Sequence, residues 1–82
     1  MDKERIFSSM AANQADFEAL MQEGQLTGWI DEDNPNRTEG HTDWVAYLPS
    51  HQRACWLSNG DSVWFNASSL DEAVTLAFCG LE

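Results

Sequence analysis

Residues 43–66 read DWVAYLPSHQRACWLSNGDSVWFN, and their pattern decides the fold. Inside them sits Asn59-Gly60, the residue pair best suited to the two central positions of a type I′ turn, where φ is positive. Short alternating segments rich in Val, Trp, Tyr and Phe flank it. They predict three antiparallel strands over residues 44–48, 53–57 and 62–65. A two-residue loop sets Ser58 opposite Asp61. Trp56 then faces Val63, Cys55 faces Trp64, and Ala54 faces Phe65. The loop Pro49-Ser50-His51-Gln52 most simply sets Leu48 opposite Arg53, Tyr47 opposite Ala54 and Val45 opposite Trp56.

One sheet face thus collects Val45, Tyr47, Ala54, Trp56, Val63 and Phe65. The other collects Trp44, Ala46, Leu48, Cys55, Leu57 and Trp64. A sheet with one wet face alternates apolar and polar residues. This sheet is apolar on both. Either the chain covers both faces, or one of them meets a partner.

Residues 1–23 read helical. Asp2 and Glu4 suit the positive end of a helix dipole. Ile6, Met10, Phe17 and Met21 fall near one stripe, with Phe7 and Leu20 beside it. Asn13 precedes Asp16 at capping-box spacing, so two short helices or one kinked helix are expected. Gly24 is the candidate C′ residue. Residues 25–30 form a short strand candidate, expected beside the 43–48 strand. Gly28 interrupts it and marks a bulge or a close backbone approach. Residues 31–42, DEDNPNRTEGHT, are a long polar loop with an acidic head.

Ser69-Leu70-Asp71-Glu72 is a capping box that opens the last helix. Leu70, Ala73, Val74, Ala77, Phe78 and Leu81 follow at helical spacing, and Gly80 ends it. The expectation is one α+β domain over residues 1–82. Its antiparallel three- or four-stranded sheet is flanked by an N-terminal helix or helices and a C-terminal helix. Both helical segments are placed on one face, a two-layer sandwich. That arrangement leaves part of one apolar face for an interface.

Fourteen acidic residues stand against four basic ones, a net charge of −10. The cations are Lys3, Arg5, Arg37 and Arg53. A nucleic-acid backbone needs a basic footprint, which this chain lacks. Anionic membranes are disfavoured for the same reason. No apolar run approaches the ~18 residues of a membrane span. Cys55 and Cys79, with no visible signal peptide, read as thiols in a reducing cytoplasm. Acidity keeps many small proteins soluble. The charged partner class it also leaves open is a basic protein surface.

Motifs for chemistry fail on inspection. Asp31 and Asp33 occupy positions one and three of a calcium loop, but Asn36 stands for its glycine and Thr42 for its closing glutamate. His41, His51, Cys55 and Cys79 are zinc-ligand types without a ligand motif, and His51 with Cys55 spans a loop and a strand. A Cys–His nucleophile pair has no supporting signature, and no GxSxG elbow is present. The reading is a non-enzymatic protein with no catalytic residue, metal or cofactor.

The order helix, three strands, helix resembles the double-stranded RNA-binding domain in outline. That family clamps phosphates with a lysine-rich run at the start of its last helix. Ser68, Ser69, Leu70, Asp71 and Glu72 stand there in this chain, so the likeness implies the fold and not the activity. The SSLDEAV ending looks like antitoxins of the HicB type over about a third of the chain. At the level of a class, a small, acidic, aromatic-containing domain resembles phage-encoded inhibitors of bacterial defence, of the anti-CRISPR and anti-restriction kinds.

That resemblance implies a basic nucleic-acid-binding protein as partner, such as a subunit of a CRISPR effector complex, with carboxylates standing in for phosphates. Asp31, Glu32, Asp33, Glu39 and Asp43, in and beside the long loop, are the expected contacts, with Asp71 and Glu72 at the helix start. Trp44 and Trp64 on one sheet face are the expected aromatic contacts. The rivals are an antitoxin or immunity protein for a basic toxin, and a homodimer that buries the spare face.

Overall fold

The computed structural model describes residues 3–29, 43–58 and 60–79. Two helices, α1 (Lys3–Met10) and α2 (Gln14–Glu23), come first. Four strands follow: β1 (Gln25–Trp29), β2 (Asp43–Leu48), β3 (Arg53–Ser58) and β4 (Asp61–Asn66). Helix α3 (Leu70–Phe78) closes the described chain. The strands form one antiparallel sheet in the order β1-β2-β3-β4.

The register worked out from the turn and from the 49–52 loop is the register observed. Ser58 pairs with Asp61, Trp56 with Val63, Cys55 with Trp64, and Ala54 with Phe65. Leu48 pairs with Arg53, Tyr47 with Ala54, and Val45 with Trp56. Gly60 has φ +82°, the left-handed conformation that the turn demands, while Asn59 lies outside the described residues. A Cβ at Gly60 would meet nothing within 4 Å. The cost of Gly60→Val is therefore conformational, about 1–2 kcal/mol, because a β-branched residue resists positive φ. Thermal melting measures it, and an unchanged midpoint would contradict the turn assignment.

Strand β1 joins β2, with Gly28 opposite Trp44. The glycine serves a close approach: a Cβ there would sit 2.5 Å from Trp44 Cε3. The indole covers the bare backbone of its cross-strand neighbour.

The helix ends follow local hydrogen-bonding rules. Asn13 Oδ1 accepts the Asp16 N–H at 2.9 Å, and this cap divides the N-terminal segment into two helices. Ser69 Oγ accepts the Glu72 N–H at 3.1 Å. Glu72 reaches back one residue further than a capping box requires, accepting from Ser68 N–H at 3.1 Å and Ser68 Oγ at 2.9 Å. Gly24 is not a left-handed C′ residue, since its φ is −58°. Its bareness admits Leu20 and Phe7, whose atoms lie 2.5 and 3.1 Å from where a Cβ would stand. Gly80 and Leu81 lie outside the described residues.

The layering corrects one expectation. The helices do not share a face. Phe7, Met10 and Leu20 of α1 and α2 pack with Ala46, Leu48, Cys55 and Leu57 on one side. Ala73 and Ala77 of α3 pack with Val45, Tyr47, Ala54 and Ala67 on the other. The sheet is a middle layer with a core on each face, which is why its strands are apolar on both. The α1–α2 pair is wide enough for one face, and α3 uses alanines to lie close to β2 and β3 on the other.

Candidate partner interface

The acidic residues fall into three groups. Asp31, Glu32, Asp33 and Glu39 lie outside the described residues. Asp71 and Glu72 are exposed in the first turn of α3, where the helix dipole favours carboxylates. Glu72 is already engaged by Ser68. Asp43 is a correction. It is 2% exposed and accepts a hydrogen bond from Ser58 Oγ at 2.9 Å. A buried carboxylate held this way is not offered to a partner. The register contained the signal, because Trp44 opposite Leu57 leaves Asp43 facing Ser58.

Trp44 and Trp64 do not stand on an uncovered face. Both are half-buried against the α1–α2 core. Trp64 donates its indole N–H to the Met10 carbonyl at 3.1 Å, satisfying the open end of α1. The Arg53 guanidinium lies 4.8 Å from the Trp64 ring centroid. Trp56 packs half-buried against the α3 core. Among the described residues, the large apolar side chains that do reach solvent are ones the sequence reading missed. Val63 on β4 is 45% exposed, Phe78 at the end of α3 is 62% exposed, and Met21 on α2 is 48% exposed. Val63 lies on the α3 side of the sheet, where α3 sits mainly over β2 and β3.

One serine, one histidine and one carboxylate do meet. Ser50 donates its hydroxyl to Glu23 Oε2 and its N–H to Oε1 at 3.1 Å. His51 Nδ1 stands 3.7 Å from the same Oε1. A nucleophile needs its base on the hydroxyl. Here serine and histidine both address the carboxylate, so the group is a clamp between the end of α2 and the β2–β3 turn. The Ser50 hydroxyl, more than any other contact, holds the Glu23 carboxyl below its usual range. The clamp is therefore lost as pH falls through that lowered value, and its exposed position limits its worth.

Near it, an open groove of about 480 Å³ is lined by His51, Gln52, Asn66, Ala67, Ser68 and Glu72. Gln52 adopts φ +49°, and its carbonyl accepts the Ala67 N–H at 3.1 Å, tying the turn to the start of the α3 connection. Among the described residues no group of three His, Cys, Asp or Glu side chains is placed to hold a metal ion. Among them, too, no helix is long and apolar enough to cross a membrane.

The two thiols differ. Cys55 is buried in the sheet, and desolvation pushes its pKa up to about 12, while Cys79 is exposed at the end of α3. A thiol-reactive dye at pH 8 is expected to label Cys79 in the folded protein and Cys55 only on unfolding. Rapid labelling of both in native protein would contradict the Cys55 burial. Stability should also fall as pH rises past the ordinary thiol value of 9.0, since the unfolded thiol then ionises and the folded one does not.

Compared with protein-family profiles, curated proteins and solved structures, the chain matches none.

Proposed function

We propose that the chain is a non-enzymatic inhibitor that binds the basic, nucleic-acid-binding surface of another protein, its carboxylates taking the place of phosphates. One observation carries the reading: fourteen acidic residues against four basic ones in 82 residues, a net charge of −10. Glu4, Glu18, Asp61, Asp71 and Glu72 are solvent-exposed and add to the field that the acidic segment 31–42 contributes. Such a field speeds encounter with a basic surface and falls off with salt. Within this class we place the protein with inhibitors of bacterial defence, of the anti-CRISPR kind, acting in a bacterial cytoplasm. A target there handles nucleic acid and so presents basic surface.

Affinity capture from a bacterial lysate at rising salt tests the reading. The expected catch is a nucleic-acid-binding protein that salt releases. A salt-insensitive catch of acidic proteins would overturn it. Reversing Asp31, Glu32 and Asp33 to Lys is expected to slow association with the captured target and flatten its salt dependence. Equal association rates for variant and parent at every salt concentration would place the contact elsewhere.

A further inference from the structure

We infer that the open edge of β4 is a self-pairing surface, on which a second copy of this chain adds its own β4 antiparallel and centred on Trp64, making a continuous eight-stranded sheet. The inference is separate from the reading of the acidic surface and does not depend on it.

The strand order ends on β4. Its six pairs with β3 run from Arg53–Asn66 to Ser58–Asp61 without a bulge. Natural sheets protect an edge with lysine, proline, a bulge or a covering element. β4 reads DSVWFN and has neither lysine nor proline; α1 meets one of its faces through Trp64 and α3 lies mainly over β2 and β3, but no described strand pairs with its outer edge.

The backbone decides which groups are offered. In a two-residue hairpin the closing pair Ser58–Asp61 exchanges both hydrogen bonds, and alternate pairs follow suit. Val63 and Phe65 therefore bond inward to Trp56 and Ala54. Ser62, Trp64 and Asn66 turn their N–H and C=O groups outward.

A two-fold axis must relate outward groups to one another. Placed at Trp64, it pairs Trp64 with its own copy, and Ser62 with Asn66 of the other chain. Between these, Val63 falls opposite Phe65 of the other chain, and the reverse. Apolar meets apolar on the α3 side and amide meets hydroxyl on the other, each a favourable cross-strand combination. Asp61 is the one charge in β4, and it falls opposite Ala67 of the second chain, so no like charges face each other across the seam. Val63, 45% exposed among the described residues, gains its cover from the second copy.

The long-range field acts against the seam, since each copy carries a net charge of −10. Salt screens that repulsion without weakening the backbone pairing. Dimerisation is therefore expected to strengthen with salt, the reverse of the salt response of binding to a basic target.

Sedimentation equilibrium of the 82-residue chain, at low salt and at about 0.5 M salt, is the test. The expected result is a rise from 9.2 kDa towards twice that mass, earlier in concentration at high salt. Ser62→Pro removes only an outward N–H, which an edge strand tolerates, and is expected to abolish the dimer with the monomer still folded. Val63→Lys reduces the net negative charge yet sets a cation against Phe65 of the second copy, and is expected to weaken the dimer roughly tenfold or more. If Ser62→Pro fails to fold, Val63→Lys alone decides the matter. A parent that stays monomeric up to about 1 mM at high salt overturns the proposal. So do variants that dimerise as the parent does, and so does a monomeric parent whose captured target is lost with Ser62→Pro, which would assign the edge to that target.

Discussion

Phe7→Ala is expected to lower stability by about 3–5 kcal/mol, the range for deleting a buried aromatic ring. Phe7 is 2% exposed and packs in the core that joins α1 and α2 to Ala46, Leu48, Cys55 and Leu57. It also lies against Gly24, where a Cβ would come 3.1 Å from its ring. Among the described residues only α1 and α2 cover that face of the sheet, so a void there has little around it to collapse inward. A domain of this size buries only about 60% of its unfolded surface and sits low in the usual stability range. Denaturant titration followed by tryptophan fluorescence should show most of the cooperative transition lost. A shift of less than about 1 kcal/mol would mean that the two N-terminal helices are not docked on the sheet.

Trp64→Ala comes next, at about 3–5 kcal/mol. The side chain does three things at once. Its ring packs on the α1–α2 core, its N–H satisfies the Met10 carbonyl at 3.1 Å, and its face receives the Arg53 guanidinium. Trp64→Phe separates these contributions. It keeps much of the packing but orphans the carbonyl, and is expected to cost about 1–2 kcal/mol. Both variants are read as melting midpoints. If Trp64→Ala melts with the parent, the residue is a surface aromatic, as the sequence reading had it, and the covered face is wrong. Trp56→Ala should destabilise as well, because α3 covers its face.

The central hairpin was legible for a physical reason. Side chains alternate with period two and Asn-Gly pins the β3–β4 turn, so that dipeptide determines every pair from Ser58–Asp61 to Arg53–Asn66, while the four-residue loop 49–52 sets the pairs of β2 with β3. The caps at Asn13 and Ser69 were legible because they are local. The layering was not. An apolar stripe on a helix says that it will be buried, not on which face, and a sheet apolar on both sides accepts helices on either. Asp43 failed in a different way. A carboxylate at a strand start reads as rim by residue type, whereas the register sets it against Ser58, and position outranked type. Trp44 and Trp64 were assigned outward only because the spare face was assumed. Val63 and Phe78 were overlooked because a β-branched residue in a strand and a phenylalanine on a helix stripe both read as core.

Covering both faces changes how the proposed function must work. A broad hydrophobic sheet face is not available, so affinity rests on carboxylates and a few exposed apolar residues. Competition is then the direct test. The captured target, loaded with labelled nucleic acid, is titrated with the chain, and the bound label is followed by fluorescence anisotropy. If carboxylates occupy the phosphate sites, the label is displaced, and displacement weakens as salt rises. A stable complex holding target, nucleic acid and this protein together would contradict the account.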